Sequence, residues 1–281
     1  MENGNGGHQH NFLVKCEEAS NLVNNFLNDT LPSGLVPERR KDYIYDEVRR
    51  QKVKEKIHKS LQVFDKAIEI HGLEEIAISY NGGKDCLVML ILLMASIHKK
   101  FTIAPTKDSS LKVLPTNYKL DSIYINSELP FPNLSDFIKS STAYYHLNPI
   151  IIQSSLKEGF EKYLNEINPK VKSIFVGIRY SDPYGSSLDY EQVTDHDWPG
   201  FLRIHPILHW KYEDIWDFLI GCDLDYCEMY DLGYTSLGGI NTTTPNPYLK
   251  IEGDEVKYSP AYMLRKNADE RERSGRISNR T

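Results

Sequence analysis

The stretch Ser79 to Cys86, S-Y-N-G-G-K-D-C, decides how the rest of the chain is read. Before it stands E-I-A-I-S-Y at 75–80, a short run rich in β-forming residues. After it comes an apolar helical pattern from Asp85 to His98. The order is strand, tight turn, helix. Gly82 and Gly83 carry no Cβ, so the backbone can turn sharply and bring successive N–H groups toward one point at the first turn of the helix. Such a point attracts phosphate. Lys84 adds a mobile positive charge, and Asn81 and Asp85 offer oxygens of the kind a hard Mg²⁺ ion accepts alongside phosphate oxygens. The spacing lacks G-x-x-x-x-G-K-[ST], which sets aside the P-loop of kinases and GTPases. It also lacks G-x-G-x-x-G, which weakens a dinucleotide-redox reading.

Working outward, residues 41–70 repeat apolar side chains (Ile44, Val48, Val53, Ile57, Leu61, Phe64, Ile68) mostly every three or four positions, which predicts one long amphipathic helix ended at Gly72. Downstream, runs of strand character at 122–126, 149–153 and 173–178 alternate with helical patterns at 133–144 and 155–165. This predicts an α/β fold with a mostly parallel twisted sheet and helices on both faces, plus a C-terminal extension. Residues 102–119 read as a surface insertion. A loop rich in Asp, Gly, Pro and Tyr spans 180–200, long enough to suggest function. A helix is expected over 209–221. The chain divides into a polar, disordered tail at 1–11, a nucleotide-binding α/β domain at 12–206, and a segment at 207–281 that folds back on the site.

Composition bounds the classes. The 281 residues are 40% hydrophobic and 26% charged, as in ordinary globular chains. A net charge of −6 argues against a chain built to coat nucleic acid, so any phosphate affinity is local. Four cysteines at 16, 86, 222 and 227 match no disulfide framework and point to a reducing compartment. The longest apolar run, Leu87 to Ile97, is about half a membrane span. The opening M-E-N-G-N-G-G-H-Q-H has neither a basic nor an apolar signal region, so a cytoplasmic location without membrane or nucleic-acid partners is expected.

The loop S-Y-N-G-G-K-D-C resembles the pyrophosphate loop of the adenine-nucleotide α-hydrolase superfamily. Five further blocks narrow the likeness: 123–138 (I-Y-I-N-S-E-L-P-F-P-N-L-S-D-F-I), 177–183 (G-I-R-Y-S-D-P), 209–219 (H-W-K-Y-E-D-I-W-D-F-L), 234–238 (Y-T-S-L-G) and 245–249 (P-N-P-Y-L). Together they resemble the fungal-type FMN adenylyltransferases, or FAD synthetases, of the PAPS-reductase-like branch. The resemblance covers about Tyr43 to Arg276 and implies an enzyme that makes FAD and pyrophosphate from FMN and MgATP; separately, a monomer is expected. It implies that Ser79, Tyr80, Asn81, Gly82, Gly83, Lys84 and Asp85 hold the ATP phosphates, with Asn81 and Asp85 on Mg²⁺. Ile125 and Asn126 then lie beside the adenosine. Asp182, Asp195, Arg273 and Arg276, with Lys84, resemble the family's catalytic and flavin-side residues, and Arg179 and Trp198 add contacts.

The chemistry agrees with the residue types. FMN brings its own nucleophile, a phosphate monoester that is mostly dianionic at neutral pH. The task is to neutralise and align two anions, which needs backbone N–H groups, Lys84, Mg²⁺ and an arginine such as Arg179 or Arg276. A carboxylate, Asp182 or Asp195, can accept from the flavin N–H, and Trp198, Phe201 or Tyr184 can face the ring. Structural alternatives stand beside these readings. Asp182 before Pro183 suits a turn; Arg273 and Arg276, set among Glu270 and Glu272, suit a solvated helix face; His205 and His209 faintly resemble half a zinc site; Cys86 at a helix start packs or reacts. Rival functions are a PAPS-reductase-like or other pyrophosphate-loop ATP-dependent enzyme, a tRNA-modifying protein and an inactive nucleotide-binding module. The first lacks its C-terminal cysteine, the second its basic surface.

Overall fold

The computed structural model describes residues 11–102, 110–115, 117–253 and 255–277. The expected tail at 1–11 falls outside these apart from Asn11. So does much of the expected insertion at 102–119, whose described part pairs Phe101–Thr102 with Lys112–Val113.

Asn11 opens α1 (Asn11–Leu27), a helix the sequence reading did not anticipate, although Phe12, Cys16, Ala19, Val23 and Phe26 form its buried stripe. Helix α2 (Glu47–His71) begins later than expected because the Asp46 carboxylate accepts the Arg49 N–H and caps it there. Ile44, which precedes the helix, and Val48, in its first turn, belong to the apolar repeat but are exposed. Gly72, at φ 66°, ends the helix as predicted.

Strand β1 (Ile76–Ser79) leads through the glycine turn into α3 (Lys84–Lys100), which is buried along almost its whole length. There follow β2 (Asp121–Asn126), α4 (Pro132–Tyr144), β3 (Asn148–Gln153), α5 (Leu156–Lys162), β4 (Ser173–Phe175), β5 (Glu191–Val193), β6 (Leu202–Ile204), α6 (Tyr212–Gly221) and α7 (Ala268–Arg271). The sheet runs β3-β2-β1-β4-β6-β5, parallel except for the antiparallel pair of β5 and β6. That edge strand sits inside the predicted 180–200 loop. Its sequence, E-Q-V, is too short and polar to announce itself.

The period of two along β1 builds both faces. Ile76 and Ile78 enter the large core made with α1, α2, α3 and α6, while Ala77 joins a smaller cluster with Ile123, Phe160 and Tyr163. The sheet is thus covered on both sides, as parallel strands require. Because β1 is flanked by β2 on one side and β4 on the other, the crevice beyond its carboxyl end is the topological switch point, where ligands bind in such sheets.

The chain after α6 closes over that crevice. Its anchor is Asn246, fully buried, whose amide donates to Thr235 Oγ1 and to the Arg271 carbonyl, each at 2.8 Å. Thr243 bridges Arg276, and the Thr244 N–H donates to the Gly275 carbonyl at 2.8 Å. Deeper down, Arg50 and Asp217, both fully buried, tie α2 to α6.

Candidate active site

Two cavities meet at the carboxyl ends of β1, β2 and β4, sharing Asn81 and Leu237 as their common wall. The first, about 320 Å³, is lined by Gly83, Lys84, Asp85, Gly177, Asp182, Tyr230, Glu272 and Arg273. The second, about 310 Å³, is lined by Tyr124, Ile125, Asn126, Glu128, Gly238 and Arg276. Each reaches the lower end of the size of small-ligand pockets, so the pair suits two substrates that touch.

The turn between β1 and α3 takes its shape from contacts on both sides. Gly82 sits at φ 71°, and a Cβ there would come within 2.7 Å of Ile138 Cγ1 on α4, so only glycine fits. Two of the turn's N–H groups are held by side chains. The Gly83 N–H donates to Asn81 Oδ1 at 2.9 Å, and the Lys84 N–H donates to the Tyr230 hydroxyl at 2.9 Å.

Lys84 is only 2% exposed. Burial on its own would lower its pKa, but Asp85 and Glu272 reverse the effect and leave it raised, so the ammonium is charged at every physiological pH. Its Nζ lies 3.0 Å from Asp85 and also bonds Glu272 Oε1. Arg179, fully buried, binds the other Glu272 oxygen, reaches Asp85 and Asp182 at 3.0 Å each, and has Asp269 at 3.7 Å. Burial works against the Asp85 carboxylate, yet Arg179 and Lys84 hold its pKa below the usual range. Arg179 is thus the hub behind the first cavity, not part of its lining.

Glu272 is the residue that sequence reading passed over. Grouped there with a solvated face, it is 5% exposed and joins the tail to the loop lysine. Thr235 Oγ1 donates to its carbonyl at 2.5 Å and fixes the backbone there. The next residue, Arg273, consequently enters the first cavity. Arg276 enters the second by lying flat on Gly238, where a Cβ would meet its guanidinium at 2.0 Å. Burial and the charge of Arg273 lower the Arg276 pKa, opposed by Glu128. A glutamate spaced between arginines carries no periodic signal that separates it from a surface helix; the only available clue was its place beside Arg273 in the tail block.

The structure brings Asn81, Gly83, Lys84, Asp85, Asp182 and Arg273 around one cavity and Ile125, Asn126 and Arg276 around the other. Asp182 lines the cavity and also accepts the Arg179 N–H at 2.9 Å in a turn. Ser79 and Tyr80 stand behind the loop: Ser79 pairs with Ile123, and the buried Tyr80 hydroxyl donates to Ser141 at 2.9 Å. Asp195 and Trp198 lie in the turn between β5 and β6, with the Trp198 N–H donating to the Asp195 carbonyl at 2.9 Å, outside the linings of these two cavities. The Asp195 side chain is 72% exposed.

Asn81 and Asp85, expected on Mg²⁺ together with phosphate oxygens, have their own oxygens engaged by protein groups in this structure. Asn81 Oδ1 is engaged by Gly83, both Asp85 oxygens face cations, and no metal-binding group of three His, Cys, Asp or Glu exists among the described residues. The faint zinc site dissolves. His205 Nδ1 contacts the Asp189 carbonyl at 2.7 Å and His209 Nε2 the Lys56 carbonyl at 3.1 Å, and burial lowers both pKa values, that of His209 to about 4. Cys86 packs: burial pushes its thiol up to about 12, against the activation a helix start can give.

Residues 75–245 match the phosphoadenosine phosphosulfate reductase domain. The probable FAD synthase of Schizosaccharomyces pombe is 39% identical over 212 residues, which cover 75% of this chain and 76% of that one. The probable FAD synthase of Caenorhabditis elegans is 34% identical over 77% of this chain, which spans 40% of the longer nematode protein. Among solved structures, the FMN adenylyltransferase of Candida glabrata in complex with FAD and inorganic pyrophosphate superposes with a TM-score of 0.79 at 25% identity, over 96% of this chain and 98% of that one. The same enzyme has been solved with FMN and the ATP analogue AMPCPP, and that structure gives a TM-score of 0.77 over 95% of this chain and 97% of that one.

Proposed function

The chain belongs to the FAD synthase family, the FMN adenylyltransferases built on a phosphoadenosine phosphosulfate reductase domain, and on that premise we propose how its residues divide the work. The reaction moves AMP from ATP to FMN. An oxygen of the FMN phosphate bonds to the α-phosphorus of ATP, the bond from that phosphorus to the α,β-bridging oxygen breaks, and FAD and pyrophosphate leave.

No general base is needed, because the FMN phosphate has its second pKa near 6. The obstacle is repulsion: each unit pair of like charges at ~4 Å costs about 4 kcal/mol at an effective dielectric of 20. We assign the β- and γ-phosphates to the first cavity, against Gly83, Lys84 and Arg273, and the adenosine to the second, beside Ile125 and Asn126. The α-phosphorus then lies near Asn81 and Leu237, where the cavities join. Arg276 on Gly238 faces that junction and neutralises the developing charge. The flavin phosphate approaches from the Asp182 side, with Pro183 and the strained, exposed Tyr184 at φ 66° available to the ring.

Local charge explains the metal's role. Lys84, Arg179 and Arg273 are matched by Asp85, Asp182 and Glu272 around the first cavity, so the wall has little positive charge to spare for a triphosphate. Mg²⁺ therefore enters as part of the MgATP substrate and supplies neutralisation of the phosphates.

The observation that carries this division is the Glu272 bridge, which delivers a tail arginine to the phosphate loop. We further read residues 12–206 and 207–281 as one working unit, supported by that bridge and by the Arg50–Asp217 pair. Four free, buried cysteines support a reducing, cytoplasmic setting, and no described helix is long and apolar enough to cross a membrane. Incubation of the purified chain with FMN, ATP and Mg²⁺, followed by chromatography, is expected to give FAD and pyrophosphate in equal amounts. PAPS with a thiol donor is expected to give no sulfite. Sulfite without FAD overturns the reading.

A further inference from the structure

Tyr230 sets its hydroxyl against the backbone of the phosphate loop, and the division of roles proposed above gives it no task. Its ring is 1% exposed and held edge-on by Trp216 at 5.3 Å and Tyr226 at 6.1 Å, so the hydroxyl has little freedom to wander. That hydroxyl lies on the wall of the first cavity and accepts the Lys84 N–H at 2.9 Å. A phenol has one hydrogen to donate besides its lone pairs. No described residue accepts a hydrogen bond from Tyr230, and burial, with Asp85 and Glu272 close by, raises its pKa well above the ordinary value, so the hydrogen stays on. Asn81 repeats the arrangement: its Oδ1 takes the Gly83 N–H, which leaves its amide hydrogens without an acceptor among the described residues.

We propose that Tyr230 is a phosphate-binding residue: its hydroxyl takes the Lys84 N–H and donates its own hydrogen to the β,γ-diphosphate of ATP and to released pyrophosphate. The loop's first helical N–H then acts on the phosphate through the phenol instead of directly. Its polarity is passed on, because a hydroxyl that accepts a strong hydrogen bond becomes a better donor. A bare loop and this one differ in a testable way. Were Tyr230 a mere cap competing for the Lys84 N–H, removing its hydroxyl would free that N–H for the anion and tighten binding.

The inference rests on the phosphate assignment given above, and the experiment separates the two. Calorimetric titration of Mg²⁺-pyrophosphate into the intact chain comes first; no binding at all there would sink the assignment itself. With binding established, Tyr230→Phe, which keeps the ring and its packing, is expected to weaken pyrophosphate about tenfold and to leave the FMN dissociation constant within twofold. Unchanged or tighter pyrophosphate binding in Tyr230→Phe overturns the proposal, as does an equal loss for FMN. Should that variant fail to fold, replacing Tyr230 with 3-fluorotyrosine keeps the shape and makes the phenol a stronger donor and weaker acceptor. Tighter pyrophosphate binding is then expected, and weaker binding contradicts a donor role.

Discussion

Among the described residues two arginines lie fully buried, and their surroundings differ in one respect that separates scaffold from site. Arg50 faces one carboxylate, Asp217, through Nε at 2.7 Å and Nη2 at 3.3 Å, and the Tyr43 hydroxyl donates to the same carboxylate at 2.9 Å. The cluster is closed to solvent: Asp217 accepts from both Arg50 and Tyr43, Arg50 Nη1 is left without a hydrogen-bond partner, and the Phe26 and Tyr45 rings cover the guanidinium. Arg179 instead gathers Asp85, Asp182 and Glu272, and each of these carboxylates also lines an open cavity. A closed pair holds two helices together. An open cluster with carboxylates shared between a hub arginine and a loop lysine keeps charge at the surface of a cleft, ready to be rearranged by an anion.

Breaking the closed pair is expected to give the largest effect on folding. Asp217→Asn leaves Arg50 buried without its counter-charge, a change that costs about 3–5 kcal/mol. Urea denaturation should show that loss, while the turnover of the fraction that folds stays near wild type. A comparable fall in turnover per folded molecule would blur the distinction. The open cluster behaves oppositely. Lys84→Met is expected to lower turnover by about 10²–10³-fold, the scale for removing one preorganised charged donor, in a steady-state assay of FAD formation. Wild-type turnover in this variant would remove the phosphate loop from the reaction.

Glu272→Gln is expected next in size. Retained shape with lost charge should cost about 1–3 kcal/mol of stability, as for a buried hydrogen-bonded charge, and raise the KM for ATP more than that for FMN. Equal shifts in both constants would mean that Glu272 only supports the fold.

Acid provides a further way to tell scaffold from site. Asp85 has its pKa lowered, so its contribution persists above the ordinary carboxylate range and fades only as pH falls through its depressed value. His209 is different. Its folded pKa of about 4 lies below the unfolded value, so the unfolded chain binds the proton first and stability falls as pH drops from about 6.5 toward 4. Thermal melts across that window should slope downward in the wild type and flatten in His209→Gln. An unchanged slope would place the titrating group elsewhere. The smallest effect on stability is expected for Asp195→Ala, whose side chain is exposed, while a flavin-side role for Asp195 predicts weaker FMN binding by calorimetry with ATP affinity largely intact; equal loss of both affinities would contradict that role.

The same contrast explains what could be read from sequence. The strand Ile76–Ser79, the glycine turn and helix α3 are local: propensity, Gly82 and apolar period agree, so the loop and most parallel strands were legible within a few residues. Lys84, Asp182 and Arg273 could be named from motif blocks. Their partnership could not, because Glu272 meets Lys84 across 188 positions and no local pattern distinguishes a buried glutamate in E-R-E-R from a solvated one. Tyr230 is hidden for the same reason, as its target lies 146 residues upstream. Asp195 and Trp198 belong to a polar, aromatic loop whose edge strand, E-Q-V, is too short to be read locally. Helix α1 was missed because its apolar stripe is interrupted by asparagines of low helix propensity.

The most direct test is a structure of the chain soaked with AMPCPP and FMN. The account predicts the β- and γ-phosphates in the first cavity, Lys84 Nζ shifted from Glu272 onto phosphate, the adenosine against Ile125 and Asn126, and Arg276 at the α-phosphorus. A nucleotide bound outside both cavities, with the Lys84–Glu272 pair intact, would contradict it.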